Sequence, residues 1–248
     1  MKIGVVKHLN ARPLTYGLEK NGNHTIIYDN PSILKEELLR GNLDLALISS
    51  VECIRNSDTL SYSLSTGVCA SQRVRSILYF ENKAEGTPER VFVDEGSRSS
   101  VALLKILLFL KFQKNIQTIS TSPAEIQNSI NYNRSSHLLF GDNALLAKWD
   151  PDLYEVYDLA EWWNRLTGTN FIFALWAYPN YKIIDEAIFY SSLEYGLQKI
   201  DEIISMEKRF SKDMISEYLL HELHYVVTQK DKEGFELFSQ KCRELSLI

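Results

Sequence analysis

The chain has 248 residues, and its 27 basic and 32 acidic side chains leave a net charge of −5. That balance argues against a nucleic-acid binder, which needs a basic face, yet permits a small anionic ligand because a pocket's local field can oppose the net charge. At 45% hydrophobic and 24% charged residues the composition is globular, enough for one or two domains; no run approaches the roughly 18 apolar residues of a membrane helix and no signal-length apolar stretch opens the chain, so the expected location is the cytoplasm.

In chain order, Ile3–Val6 predicts a short buried strand and Pro13-Leu14 opens a helix. Thr25–Tyr28 predicts a second strand, and Ser32 caps a helix through Leu39 with Gly41 as its stop. Leu43–Ile48 predicts a third strand that runs into Ser49-Ser50. Val74–Phe80 and Arg90–Val93 follow as strands, after which Ser99 or Ser100 caps a long apolar helix through Phe112. Ser122 and Glu125 have the spacing of a capping box. His137–Phe140 predicts a strand ending in Gly141-Asp142, with Asn143–Lys148 helical. Phe171–Tyr178 is unbroken apolar and predicts a fully buried strand, and helical spacing then predicts three helices over 183–205, 211–227 and 232–246.

Alternating strands and helices imply an α/β protein whose sheets are mixed but mainly parallel, flanked by helices and arranged as two lobes. The chain is expected to cross between lobes near Ser71–Ser76 and near Phe171–Trp176. One lobe then comprises 1–73 plus 176–248, the other 74–175, with the active site in the cleft.

In open parallel sheets, ligands sit beyond the carboxyl ends of strands. The strand-to-helix junctions are therefore the candidate sites: His8 to Pro13, Ser49-Ser50, Asp94-Glu95-Gly96-Ser97-Arg98-Ser99-Ser100, and Gly141-Asp142-Asn143. The third joins three hydroxyls and an arginine to a helix start, where free N–H groups favour carboxylates and phosphates. Each junction also reads as ordinary capping; their recurrence points to a ligand in a cleft. Asp142 reads equally as an acid–base group or a cap. His221-Glu222-Leu223-His224 is one residue short of the zinc motif His-Glu-x-x-His, so no metal is expected. Neither a Gly-x-Gly-x-x-Gly nor a Walker loop occurs, so no nucleotide cofactor is expected. Cys53, Cys69 and Cys242 are odd in number and widely spaced, as buried free thiols are.

At these junctions the sequence resembles chorismate dehydratase of the futalosine route to menaquinone, a family with a periplasmic-binding-protein type II fold. The resemblance rests on an ordered set of segments: Ile3-Gly4-x-Val6 with Leu9-Asn10-Ala11-x-Pro13-Leu14; Gly41-Asn42-Leu43-Asp44-Leu45-Ala46-Leu47-Ile48-Ser49; Val74-Arg75-Ser76-Ile77-Leu78; Glu95 through Leu104; Gly141-Asp142-x-Ala144-Leu145; and Leu166-Thr167-Gly168 through Ala177. His8 departs from the family's usual aromatic residue, and Gln72-Arg73 from a more Gly-rich turn. The sister family, 1,4-dihydroxy-6-naphthoate synthase, has a different N-terminal loop.

The resemblance implies removal of water from chorismate, giving 3-[(1-carboxyvinyl)oxy]benzoate without a cofactor. It places Asn10 and Ser76 beside the reacting ring as catalytic residues. Ser49, Ser97, Arg98, Ser99, Ser100 and Asp142 are the expected substrate-binding residues. Two further readings are a dihydroxynaphthoate-synthase-like enzyme of the same pathway and a cytosolic small-anion-binding protein without catalysis; fold alone does not separate enzyme from binder.

Overall fold

The structure is a computed structural model and describes residues 1–20, 22–94, 96–132 and 135–248; Glu95, singled out above, lies outside the described residues. The chain first runs β1 (Lys2–Val5), α1 (Arg12–Lys20), β2 (Thr25–Tyr28), α2 (Pro31–Leu39), β3 (Leu45–Ser49), α3 (Ser50–Arg55) and β4 (Leu60–Ala70). It continues through β5 (Ile77–Asn82), β6 (Arg90–Asp94), α4 (Arg98–Phe112), β7 (Gln117–Thr121), α5 (Pro123–Tyr132), β8 (Ser136–Phe140), α6 (Gly141–Leu146) and β9 (Tyr154–Asp158). The last part comprises α7 (Leu159–Thr167), β10 (Phe171–Pro179), α8 (Ala187–Gln198), α9 (Ile200–Met206), α10 (Lys212–Glu217), β11 (His224–Val226) and α11 (Gln229–Glu244).

The strands form two sheets, ordered β11-β4-β10-β3-β1-β2 and β7-β6-β8-β5-β9. Both are mixed. In the first, β1 lies parallel to β2 and β3, while β10 pairs antiparallel with β3 and β4. In the second, β6 lies parallel to β7 and β8, while β5 pairs antiparallel with β8 and β9. Every residue of β3 is buried, as expected of a strand covered on both faces. In α4, Leu103, Leu104, Ile106, Leu107 and Leu108 have no exposed surface. A helix apolar on so many sides needs neighbours all round, and α4 packs on α3, α7, α11 and β10. One apolar core therefore runs from the first sheet through α4 into the second, taking in buried Cys53, Cys69 and Cys242.

Several local expectations change. The long strand β4 was not expected, although Leu60, Tyr62 and Leu64 alternate with polar residues; the hydroxyls of its buried Ser63 and Ser65 satisfy each other at 2.6 Å, and β10 and β11 flank it. The helix expected over 211–227 stops at Glu217, passes through a π-turn (Tyr218–Glu222) and becomes β11, because an edge position beside β4 was open to it. The cap of α4 is Ser97, whose hydroxyl accepts the Ser100 N–H, rather than Ser99 or Ser100. Asn30 and Pro31 start α2 in place of Ser32, the fixed φ of proline suiting the first helical position. β5 starts at Ile77 because Asp158 captures the N–H groups of Val74 and Arg75, and Arg75 takes a positive φ of 57°. The Ser122–Glu125 capping box is present as expected.

Candidate active site

A small cavity of about 50 Å³ lies between the two sheets. It faces the carboxyl ends of β1 and β3 on one side and those of β6 and β8 on the other, the position expected for a ligand in an open sheet. A 3₁₀ turn (Leu9–Ala11) after β1 brings in Asn10, the end of β3 supplies Ser49, and the start of α4 supplies Ser97 and Ser100. Val6, Leu47, Val68, Ile77, Phe140 and Phe173 give apolar walls. Ser49 occupies the N-cap position of α3 without spending its side chain on a capping bond, which leaves the hydroxyl for a ligand. Ser97 and Ser100 are linked, the hydroxyl of one donating to that of the other at 2.7 Å.

No carboxylate among the described residues lines the cavity; the one titratable side chain that does is His8. Its ring packs edge-on against Phe140, with centroids 5.3 Å apart, and so takes the place of the aromatic residue the resemblance led us to expect. Burial lowers its pKa, the nearby Asp142 carboxylate pulls it back up and the Arg209 guanidinium pushes it down, leaving a neutral imidazole at pH 7. Gly141 adopts a φ of 61°, and a Cβ there would meet the His8 ring at 3.5 Å. A side chain at this turn would be strained by the backbone, although its Cβ would make only ordinary contact with the ring.

The other expected residues surround this cavity without lining it. Ser76 is buried, and its carbonyl accepts the Gly141 N–H at 2.6 Å, tying β5 to the start of α6. Ser99 is fully buried; its hydroxyl lies 3.1 Å from that of Ser50 and accepts the Val51 N–H, joining α4 to α3. Arg98 points to solvent, 3.8 Å from Glu52. Asp142 is engaged twice, accepting the Leu9 N–H at 3.3 Å and an Arg209 N–H at 2.7 Å. Arg209 is in turn braced by Glu207 at 2.6 Å. Thus α6, which follows the second sheet's β8, is held against both the Asn10 turn and the segment between α9 and α10.

Sequence reasoning missed Arg209; it named His8 and Gly141 within candidate junctions without placing them against each other. Arg209 sits in an unremarkable polar stretch with no local signal. The glycine after a strand was the visible cue for Gly141.

Among the described residues, Cys69, His224 and Asp231 are the group whose potential metal-ligand atoms lie within 4.8 Å of one another. The Asp231 carboxylate is already committed: it accepts from Thr228 at the start of α11 and contacts His224 Nε2 at 2.9 Å. Burial would raise its pKa, but these bonds outweigh burial and hold it below the usual carboxylate range. This arrangement fastens β11 to α11; His221 takes no part.

A family model described as menaquinone biosynthesis matches residues 1–244. The chain is 26% identical over 267 residues to the chorismate dehydratase of Thermus thermophilus, covering 96% of this chain and 93% of that protein. It is also 26% identical over 259 residues to the chorismate dehydratase of Campylobacter jejuni, covering both chains fully. The periplasmic aliphatic sulphonate binding protein of Escherichia coli has the same fold, with a TM-score of 0.66 at 18% identity over 100% of this chain and 88% of that one. The two-sheet α/β architecture is thus of the periplasmic-binding-protein type, and the chain belongs to the menaquinone biosynthesis family.

Proposed function

We propose that this protein is a chorismate dehydratase, acting in the cytoplasm. The observation that carries the reading is a cavity between two sheets with neutral hydroxyl and amide groups and apolar walls, and no described carboxylate, in a chain aligned end to end with two chorismate dehydratases. Chorismate is a dianion with an enolpyruvyl ether on one ring carbon and a hydroxyl on the next. Loss of the proton from the first carbon and of hydroxide from the second aromatises the ring, which supplies the driving force.

The protein's task is to orient the dianion, exclude water and stabilise the leaving hydroxyl. Asn10 and Ser49 act from the first sheet, Ser97 and Ser100 from the second. Ser76 positions the Gly141 turn, and through it the cavity wall. With no carboxylate among the described residues that line the cavity, a carboxylate of the substrate itself takes the ring proton. The lobes proposed are 1–73 plus 176–248 and 74–175, a boundary that falls within β10, whose Phe171–Leu175 pair with β3 and β4 of the first sheet. A pocket that encloses a small molecule typically has about 300 Å³ or more. The 50 Å³ found here therefore belongs to a closed cleft, which must open to admit a ring.

Purified protein mixed with chorismate, without added metal or cofactor, should release one water and give a new aromatic absorbance, followed by chromatography and mass. Unchanged chorismate would sink the reading. Asn10→Asp sets a negative charge beside a dianion and should lower kcat/KM about a hundredfold. Near-wild-type turnover in that variant would remove Asn10 from the site.

A further inference from the structure

A second depression, a groove of about 570 Å³, adjoins the cavity. Gly96 and Ser97 line both, and at the start of α2 Pro31 faces the inner cavity while Asn30 and Ser32 line the groove. The two spaces are therefore neighbours, with the Gly96-Ser97 segment between them. Arg55, Arg98 and Lys105 line the groove, and no carboxylate among the described residues does. Arg98 and Lys105 are seven residues apart on α4, two helical turns, and so share a face.

Two nearby acids are already paired. Glu52, 2% exposed, pairs with Arg55, has Arg98 at 3.8 Å and has Lys35 at 3.9 Å. Glu36 pairs with Lys35. Lys105 has no ionic partner among the described residues, while Asp29, bonded to Asn30, and Asp94, bonded to Gly96, stand behind the lining. The positive excess lies in the lining itself, three cations and no described carboxylate, on a chain of net charge −5.

We propose that the groove is a capture site for small cyclic dicarboxylates, where one carboxylate of the incoming dianion rests on Arg98 and Lys105 before the molecule passes the Gly96-Ser97 rim. The inference rests on the substrate reading above. A closed inner cavity makes such a site useful, because the anion is held beside the entrance until the cleft opens. Charge lining a groove raises local ligand concentration and association rate by about 10–1000-fold, and salt screens it beyond about 8 Å at physiological strength.

The test measures kcat/KM for chorismate against ionic strength, in wild type, Lys105→Glu and Lys105→Gln. Wild-type kcat/KM should fall about tenfold between about 0.01 M and about 1 M salt. Lys105→Glu should be about tenfold below wild type at low salt, Lys105→Gln intermediate, and both deficits should close at high salt. Misfolding would not be rescued in that way. A salt-insensitive wild type, or a Lys105→Glu variant equal to wild type at low salt, overturns the proposal. If chorismate is not turned over at all, the substrate reading fails first, and the groove is judged by calorimetry with benzene-1,3-dicarboxylate. Binding weakened by both Lys105→Glu and salt keeps it; absent binding, or binding indifferent to them, overturns it.

Discussion

Two aspartates at helix starts, Asp158 and Asp142, each join segments of the chain that belong to different sheets, but by unlike means. Asp158 ends β9 and caps α7; it accepts N–H groups from Ala160 and Glu161 of that helix and from Val74 and Arg75 of the segment leaving β4. It is 7% exposed, and all four donors are main chain. Asp142 accepts one main-chain N–H, from Leu9, and otherwise depends on Arg209, whose side chain is 48% exposed. Main-chain donors fixed in a buried turn do not let go without unfolding. A solvated guanidinium can. The contrast makes Asp158 a pivot that fastens the first crossing segment to the start of α7, and Asp142 with Arg209 a clasp whose ion pair solvent reaches.

The sharpest way to break this contrast is Asp158→Ala. Four donors lose their acceptor in a buried place, so stability should fall by about 4 kcal/mol in denaturant unfolding. A loss below about 1 kcal/mol would mean that the turn holds itself and Asp158 is no pivot.

Acid weakening must be separated from the clasp, and His137 is the residue that confuses it. Its ring is buried beside Phe92 and Tyr154, with neither nitrogen hydrogen-bonded to a described residue, and burial pulls its pKa down from 6.5 to about 4. Between those values the unfolded chain binds the extra proton. Stability is therefore retained above pH 6.5 and lost as pH falls toward 4, by about 3 kcal/mol. His137→Phe should flatten that part of the stability–pH curve. An unchanged slope would return the acid sensitivity to the clasp or to other groups.

Arg209→Ala should have the smallest effect on stability, under about 1 kcal/mol, as partly exposed ion pairs do. Its effect belongs in turnover, where loss of the clasp should raise KM for chorismate. In a double-mutant cycle with Asp142→Asn the two changes should not add. Additive effects would show that the two side chains do not act together.

Much of this was legible in the sequence because it is written in local patterns. The strands at Thr25, Leu45, Arg90 and Phe171 carry continuous or alternating apolar residues, and the cavity residues Asn10, Ser49, Ser97 and Ser100 all stand at strand ends followed by helix starts. What was hidden depends on distant partners. In β4 Leu60, Tyr62 and Leu64 alternate with serines, yet Ser63 and Ser65 are more buried than Tyr62 and Leu64, which only the neighbours β10 and β11 bring about. The 211–227 stretch has helical spacing, yet its last residues add to a sheet edge, which no local propensity announces. Arg98 read as a ligand-binding residue from its position at a helix start, and its side chain turns outward to the groove instead.

The three buried cysteines have a practical consequence. Cys53, Cys69 and Cys242 show no exposed surface, and burial pushes their thiols up, Cys242 to about 12. Inert to alkylation while folded, they become reactive only when their surroundings open. They sit in α3, β4 and α11. A mass spectrum taken after a brief pulse of iodoacetamide would therefore count opened molecules directly, with three labels for whole-chain unfolding and a single label on Cys242 for detachment of the last helix alone.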